Sequence, residues 1–399
     1  MAVNLYGTVY YQEALAGTLE QAPDGRYAFT YNLAYIGAGQ PQIAHTLYLR
    51  FAPYYSHGLH PFFDNLVAEG WLARAQARAL GIRGDDRFAR LLAFGADCPG
   101  AVSIRDPRPE REPNLAVGTR EEVAALANRA SISGIQRKLF AVQTANGFRP
   151  ARAGETSTHI AKLPSADLEE LVELEYLTTV AAKALLPDDQ VVELEVAEVE
   201  NIRGRCLLVR RFDRAPQGEK IHFEEFNQLL DRPSEAKYEG AYSDMAMFIL
   251  RHQQYHREED VDRLLRRILV SILAGNNDAH MKNFGLLYTP EGFRLAPFYD
   301  VVAAGLYPQY KDSPLALRLG AGKNPPTLAS LRSKHLSALA ESMTLSPSAL
   351  KLAIEDLNRR LPVAIRAIED AGHGSNPLKK KLIKFMGKRW NATFKSTGN

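Results

Sequence analysis

A short polar segment carries the residues whose types and spacing best suit chemistry. Asp278 and Asn283 lie five positions apart in the sequence NNDAHMKNFGLLY, and Asp300 follows seventeen residues after Asn283. Core packing gives no reason for so many polar side chains between an apolar helix and a strand. Phosphoryl transfer needs an aspartate that orients the acceptor hydroxyl, together with oxygen ligands for Mg²⁺. The pattern therefore predicts a phosphoryl-transfer site, with Asp278 as the base and with Asn283 and Asp300 at the metal.

Each of these residues alone has a simpler explanation. Asn277 and Asp278 are typical of a turn at the end of a helix, and Asp300 in FYDVV is typical of a residue that ends a strand. The order of the elements favours chemistry, because a strand with Lys162 precedes a helix with Glu175, as in the small lobe of a kinase. Lys162 can then reach the α and β phosphates of ATP, and Glu175 can pair with the Lys162 ammonium.

The elements that must position these residues can be read from apolar periodicity and turn signals. The first hundred residues are predicted to form a compact α/β unit, and the charged, proline-rich stretch 105–114 is the best candidate linker. Further along, the predicted elements are a strand at 138–144, a strand at 159–164, a helix at 168–186 and a strand pair at 193–199 and 205–212. After residue 215 helices dominate, and the segment 258–275 has the single apolar stripe of a buried helix.

Composition excludes several classes of protein. The 399 residues are 46% hydrophobic and 24% charged, which is ordinary for a globular chain, and the net charge of +3 does not by itself indicate nucleic-acid binding. Two cysteines, Cys98 and Cys206, exclude a disulfide framework and a cysteine-rich zinc site. No apolar run approaches the roughly 18 residues of a membrane-spanning helix, and the N-terminus lacks the features of a signal peptide. We expect a cytoplasmic protein with no membrane partner.

Six motifs in order make the sequence resemble the HipA-like serine/threonine kinases, the toxin components of bacterial toxin–antitoxin modules. The motifs are HPFFDNL (60–66), SISGIQRK (131–138), THIAKLP (158–164), RRFDR (210–214), NDAHMKNFGL (277–286) and LAPFYD (295–300). The resemblance covers nearly the whole chain and implies an α/β (α+β) protein with a two-lobed, protein-kinase-like fold. The implied domains are an N-terminal subdomain at 1–105, a small lobe with an ATP-covering loop at 115–215 and a mainly helical large lobe at 216–399.

The resemblance also implies roles for individual residues. Mg²⁺ and ATP would be the cofactors; Lys162 would contact the ATP phosphates, Asp278 would be the catalytic base, and Asn283 and Asp300 would bind the magnesium ion. The further cofactor-binding residues would be Lys138, Gly134, Phe212, Asp213, His280, Lys282 and Glu175. For His280, a hydrogen bond to the loop backbone is an equally good interpretation. Related sequences have an acidic residue where this chain has Arg210; backbone contacts to adenine would survive this change, and only a side-chain role at that position is put in doubt.

The segment SISGIQRK is a poor generic phosphate loop. It has one glycine, Gly134, and lacks the Gly-Lys-Ser ending of a P-loop. In the HipA-like family this segment covers ATP and carries a regulatory serine that becomes autophosphorylated. Ser131 aligns with that serine, and Ser133 is a second candidate. The alternative is that both hydroxyls only terminate backbone groups in a turn.

The implied function is that of an ATP-dependent protein kinase acting as a growth-arresting toxin. The implied partners are a helix-turn-helix antitoxin similar to HipB, a protein substrate for which an aminoacyl-tRNA synthetase is the candidate, and DNA reached only through the antitoxin. A lipid or small-molecule kinase would use the same residues, and a non-catalytic nucleotide-binding corepressor is the alternative of another class. The basic segment 371–399 is compatible with an acidic partner or nucleic acid, although a solvated helix packed by one apolar face is the simpler interpretation.

Overall fold

The structure of the protein is a computed structural model that describes residues 5–108, 112–132 and 136–395. Ser133 and Gly134, two of the residues implicated by the sequence, lie outside the described residues. The chain divides into two compact units. The first unit comprises Met1–Pro164 and Ala197–Ala236, and the second comprises Ser165–Val196 and Lys237–Asn399. The domain boundaries inferred from the sequence stay a prediction.

The first unit begins with an antiparallel five-stranded sheet in the order β4-β3-β2-β1-β5. Its strands are β1 (Tyr6–Tyr11), β2 (Ala14–Gln21), β3 (Tyr27–Tyr31), β4 (Tyr54–Ser56) and β5 (Val102–Arg105). Its helices are α1 (Leu33–Gly37), α2 (Pro61–Leu66), α3 (Gly70–Leu80) and α4 (Arg87–Phe94). Phe29, Phe62, Phe63 and Phe88 are fully buried in one cluster. Burial of these large apolar side chains is the main stabilising term of this part of the chain.

A second sheet in the first unit has the order β7-β6-β8-β10-β9. In chain order, this stretch contains α5 (Arg120–Leu126), β6 (Lys138–Thr144), β7 (Gly147–Pro150), β8 (His159–Lys162), α6 (Leu171–Leu185), β9 (Leu194–Glu198) and β10 (Arg205–Arg210). Helix α6 belongs to the second unit. The first unit ends with β11 (Phe223–Glu225) and α7 (Phe226–Leu229). The strand predicted at 138–144 is therefore confirmed, as is the helix predicted at 168–186.

The second unit is mainly helical. Besides α6 it contains α8 (Tyr242–His252), α9 (Arg257–Ala274), the hairpin β12 (Gly285–Thr289) and β13 (Gly292–Leu295), α10 (Ser333–Ser342), α11 (Pro347–Asp370) and α12 (Asn376–Arg389). Helix α12 buries Leu378, Leu382 and Met386, four residues apart, while its lysines lie on the other side. This arrangement matches the simpler interpretation of the basic segment. Among the described residues, no helix is long and apolar enough to cross a membrane.

The end of α9 determines where the polar loop begins. Gly275 terminates the helix in the left-handed conformation, with φ of 89°. A Cβ atom at this position would lie 2.5 Å from Cε1 of Phe385. Because both the backbone conformation and the close ring contact exclude a side chain, glycine is required here. The loop that contains Asp278 follows directly.

Candidate active site

The loop after α9 is held by hydrogen bonds to three other segments of the chain. The Tyr242 hydroxyl donates to the backbone oxygen of Ala279 at 2.9 Å, and the Tyr299 hydroxyl donates to that of Lys282 at 2.9 Å. The Asn277 amide donates to the backbone oxygen of Tyr310 at 2.8 Å. Since three separate segments fix the loop backbone, the side chains that it presents have defined positions.

Asp278 has the electrostatic properties of a base that works near neutral pH. Loss of water around its carboxylate raises the pKa of Asp278 to about 6, and the negative charge of Asp300 acts in the same direction. A hydrogen bond from Tyr238 and the positive charge of Lys237 partly oppose this shift. Asp278 nonetheless keeps a solvent-accessible side chain. A carboxylate with this pKa is ionised at pH 7 and binds a proton more readily than an ordinary aspartate.

Asn283 and Asp300 are in direct contact. The Asn283 amide nitrogen, Nδ2, lies 2.5 Å from Oδ2 of Asp300, and its Oδ1 accepts a hydrogen bond of 3.0 Å from the His280 backbone N–H. Asp300 adopts the left-handed conformation, with φ of 58°. Non-glycine residues in this region are uncommon and are concentrated at functional sites. The structure thus brings together Asn283 and Asp300, with Asp278 close enough to sense the Asp300 charge.

The pair Asn283 and Asp300 suits magnesium better than a transition metal. Mg²⁺ is bound by one or two carboxylates together with water and substrate phosphates. Among the described residues, no group of three or more His, Cys, Asp and Glu side chains could form a metal site of its own. The repulsion between Asp278 and Asp300 would be relieved by a cation between the loop and Asp300. These residues therefore fit a hard divalent ion that arrives with phosphate oxygens.

Two buried lysines face each other in the second sheet. Lys138 on β6 and Lys162 on β8 are register partners, so both side chains lie on the same face of the sheet. Their exposed fractions are only 8% and 5%. The two lysines thus bring positive charge to one face of the sheet, which is the charge that a phosphate-binding site requires.

The remaining predicted residues of the second unit are buried. The His280 ring packs edge-on against Tyr238 with centroids 5.1 Å apart, and its backbone N–H bonds within the loop. Lys282 is 4% exposed, and Glu175 on α6 is 1% exposed. Lys162 and Glu175 belong to different units, so their pairing stays a prediction.

Asp213 has partners that sequence reasoning did not foresee. Its carboxylate accepts hydrogen bonds from Arg211 Nε and Nη2 at 2.9 and 2.7 Å, from Arg214 Nη1 at 3.0 Å and from the Gly100 backbone N–H at 2.8 Å. A carboxylate accepts about four hydrogen bonds, so little capacity remains for a ribose hydroxyl. Its neighbour Phe212 packs edge-on against Phe223, with centroids 5.1 Å apart. We therefore do not carry Asp213 into the proposed nucleotide site.

Asp213 instead belongs to a buried ion cluster made of Asp97, Arg211, Asp213 and Arg214. Arg211 Nη1 lies 3.1 Å from both oxygens of Asp97, and Arg214 Nη2 lies 2.6 Å from Asp97 Oδ1. The Ser157 hydroxyl also donates to Asp97 at 2.7 Å. The two arginine side chains are only 1% and 3% exposed. The cluster thus joins the end of β10 to the segment that precedes β5.

Ser131 is internal in this conformation. Its side chain is 1% exposed, its hydroxyl donates to the Leu66 backbone oxygen at 2.6 Å, and its N–H donates to the Asp97 backbone oxygen at 3.1 Å. A phosphate on this hydroxyl would not fit without movement of the segment.

Tyr238 is a site residue that the sequence analysis missed. Its hydroxyl donates to Oδ1 of Asp278 at 2.9 Å. The two residues are 40 positions apart, and no spacing rule connects them. The signal available was only that Tyr238 lies in a polar segment, KYEG.

One cavity of the second unit has the wrong charge for a nucleotide. It has a volume of about 340 Å³ and is lined by Asp167, Glu169 and Glu170 against the single basic residue Lys381. Such a lining repels a triphosphate. The phosphate-binding candidates therefore remain the two lysines of the second sheet and the loop after α9.

Comparison with known proteins agrees with the class that the fold defines, an α+β protein. A model of the HipA-like C-terminal domain matches residues 130–365, and a model of the HipA N-terminal domain matches residues 7–105. The chain belongs to the HipA family. The resemblance noted from the six motifs is therefore confirmed.

Relatives cover most of the chain. The protein named "Putative kinase Y4dM" from Sinorhizobium fredii is 30% identical over 95% of this chain and 93% of its own length. The protein named "Serine/threonine-protein kinase toxin HipA" from Shewanella oneidensis is 25% identical over 78% of each chain. A solved structure of HipA from Shewanella oneidensis with HipB and operator DNA has a TM-score of 0.79, with 20% identity over 98% of this chain and 99% of that chain. The predicted fold class is confirmed by this likeness.

Proposed function

We propose that the protein is an ATP-dependent serine/threonine protein kinase that acts as the toxin of a toxin–antitoxin pair. The observation that carries the proposal is the contact of Asn283 with Asp300 beside Asp278, whose pKa is raised to about 6 partly by Asp300. A proton acceptor and two oxygen ligands are the groups that phosphoryl transfer to a hydroxyl requires. The kinase names of two relatives support the same activity.

In this proposal the protein positions the reactants and moves one proton. Asp278 accepts the proton of a seryl or threonyl hydroxyl, which its raised pKa favours. Asn283 and Asp300 hold Mg²⁺, which neutralises charge on the phosphates when bound. Asn283 Oδ1 accepts one hydrogen bond, from the His280 backbone N–H, and its second lone pair could bind the ion.

The phosphate-binding part of the proposal uses four basic side chains. Lys138 and Lys162 present their ammonium groups on one face of the second sheet. His280 and Lys282 lie in the same loop as Asp278. Positive groups aimed at the phosphates stabilise the charge that develops on them. Glu175 is proposed to align Lys162.

The test is transfer of labelled γ-phosphate from ATP to the protein and to a generic seryl acceptor such as casein. We expect magnesium-dependent incorporation that EDTA abolishes. The rate should fall as the pH drops through about 6, because protonated Asp278 cannot accept a proton. A folded protein that transfers no phosphate at pH 7.5 with Mg²⁺ would contradict the proposed activity.

The proposed partner is a HipB-like helix-turn-helix antitoxin. The support is the solved Shewanella complex, whose HipA shares the fold of this chain and is bound to HipB and operator DNA. We propose that DNA is reached only through this antitoxin and that an aminoacyl-tRNA synthetase is the phosphorylated protein. Co-purification of this chain with the product of an adjacent helix-turn-helix gene checks the partner.

Phosphorylation of Ser131 is proposed to switch the kinase off. A phosphate adds about −1.5 to −2 charges to a hydroxyl that is now buried against the Leu66 carbonyl. The modified segment must therefore leave its buried position, and it can then no longer cover ATP. Ser133 stays a second candidate for the modification.

Ser131→Asp is expected to weaken ATP binding by at least about tenfold, because a buried unpaired charge costs on the order of 3 kcal/mol and favours the displaced segment. Titration calorimetry with ATP measures the dissociation constant. The matched control is Ser131→Ala, which removes the hydroxyl without adding charge and should change the constant far less. An unchanged constant in Ser131→Asp would refute the switch.

A further inference from the structure

The geometry points to Tyr238 as a positioning residue for the Asp278 carboxylate, an inference that rests on the proposed kinase function. Tyr238 is the last residue of the 3-10 turn Ser234–Tyr238, in the segment just before α8. Its hydroxyl donates to Oδ1 of Asp278 at 2.9 Å. Tyr238 and Asp278 both belong to the second unit, so the contact is internal to one compact body.

The ring of Tyr238 is held by two neighbours. It packs edge-on against the His280 ring, with centroids 5.1 Å apart and an interplanar angle of 83°. The Lys237 ammonium lies 5.5 Å from the centroid of the Tyr238 ring. Each contact constrains the plane of the ring. These protein contacts therefore fix the position of the Tyr238 hydroxyl, although Tyr238 is 45% exposed. Without this hydroxyl, water could donate the hydrogen bond to Asp278.

The hydrogen bond leaves one oxygen of the base available. Among the residues that the structure describes, Oδ1 of Asp278 accepts from Tyr238 and no donor is bonded to Oδ2. Rotation of a carboxylate about its last torsion is soft. A donor fixed at Oδ1 selects one orientation and directs Oδ2 to the acceptor hydroxyl. A base oriented by a third group is a recurring arrangement for activating a hydroxyl.

Tyr242, four residues further along at the start of α8, has a different role. It is 1% exposed, and its hydroxyl donates to the Ala279 backbone oxygen rather than to a side chain. Removal of that hydroxyl leaves a buried carbonyl without its donor, which lowers stability. Tyr242 therefore supports the loop backbone, whereas Tyr238 orients the Asp278 side chain.

The test compares Tyr238→Phe with wild type in phosphate transfer from ATP to casein. We expect kcat to fall about 10- to 100-fold, the range that corresponds to a hydrogen bond with a charged acceptor. The KM for ATP should change less than about twofold, because the hydroxyl bonds to the base and not to a phosphate-binding residue. The melting temperature of Tyr238→Phe should stay near that of wild type, whereas Tyr242→Phe should melt lower. Tyr255→Phe, at a side chain that is 61% exposed, is the neutral control.

A double substitution shows whether Tyr238 acts through Asp278. In an Asp278→Asn background, Tyr238→Phe should cause no further loss of rate, since residues that act as one unit are not additive. Additional loss in that background would overturn the inference. An unchanged kcat in Tyr238→Phe, with an active wild-type enzyme, would also overturn the inference. A higher kcat/KM in Tyr238→Phe would do the same, because the hydroxyl would then hinder the reaction. A wild-type protein without transfer activity would overturn the proposed function and this inference with it.

Discussion

Asp278→Asn is expected to lower phosphate transfer by about 10²- to 10⁴-fold, the range that general base catalysis contributes. Asparagine has the size of aspartate, and its Oδ1 can still accept the Tyr238 hydrogen bond. Its amide cannot take a proton from an acceptor hydroxyl at any working pH. Nucleotide binding should be retained, because Lys138 and Lys162, proposed to bind phosphate, and the pair Asn283 and Asp300 are unchanged.

The thermal stability of Asp278→Asn separates a catalytic role from a structural one. The pKa of Asp278 is raised in the folded state, so the ionised carboxylate disfavours folding at pH values above the unfolded pKa. Removal of this charge also ends its repulsion with Asp300. We expect a melting temperature at pH 7.5 that equals or exceeds that of wild type, measured by calorimetry beside the transfer assay.

The control for this variant is Asp188→Asn, since Asp188 has a side chain that is 94% exposed and pairs only loosely with Arg360. This control should keep both rate and stability. Two results would remove Asp278 from the proposed mechanism. One is an Asp278→Asn variant that retains more than a tenth of the wild-type rate, and the other is persistent growth arrest in cells that express this variant.

Features that depend on local sequence were predictable. The strand at 138–144 has a short run of apolar residues and is followed by the Asn146-Gly147 turn, and the structure has β6 over the same residues. The apolar stripe after residue 258 predicted a buried helix, which is α9. The spacing of apolar residues shows which face of a helix or strand is buried. This spacing can be read without knowing which distant residues pack against that face.

Contacts between distant residues were not predictable. Asp97 precedes Arg211 by 114 positions, and Tyr238 precedes Asp278 by 40. Nothing in local spacing identifies which charged side chains will be buried together. For this reason the motif RRFDR leads to predicted nucleotide contacts at Phe212 and Asp213, whereas in the structure Asp213 is engaged by Arg211 and Arg214.

The ion cluster yields the second large expected effect. Asp213→Asn should lower the free energy of unfolding by about 3–5 kcal/mol, the cost of breaking a buried ion pair by removing one partner. In wild type two carboxylates balance two guanidinium groups that are nearly inaccessible to solvent. The neutral amide leaves Asp97 alone to compensate both Arg211 and Arg214. Urea denaturation at pH 7 measures the loss.

The pH dependence of stability gives the cluster a second signature. Its arginines hold the pKa of Asp97 and of Asp213 below the usual range against the opposing effect of burial. A carboxylate whose folded-state pKa is depressed stabilises the fold above its unfolded pKa, near 4, and loses that stabilisation as the pH falls through the folded value. Asp213→Asn lacks one such group. Its deficit relative to wild type should therefore be full at pH 7 and should shrink steadily below about pH 4.

Asp24→Asn is the matched control, because Asp24 pairs with Arg26 at 2.7 Å with both side chains well exposed. The same chemical change in a solvated pair should have no measurable effect on unfolding, since exposed pairs are screened by water and salt. If Asp213→Asn costs no more than Asp24→Asn, the cluster does not hold β10 to the segment before β5. Asp213 would then again be available for a nucleotide contact, because a carboxylate released by its arginines has free acceptor capacity.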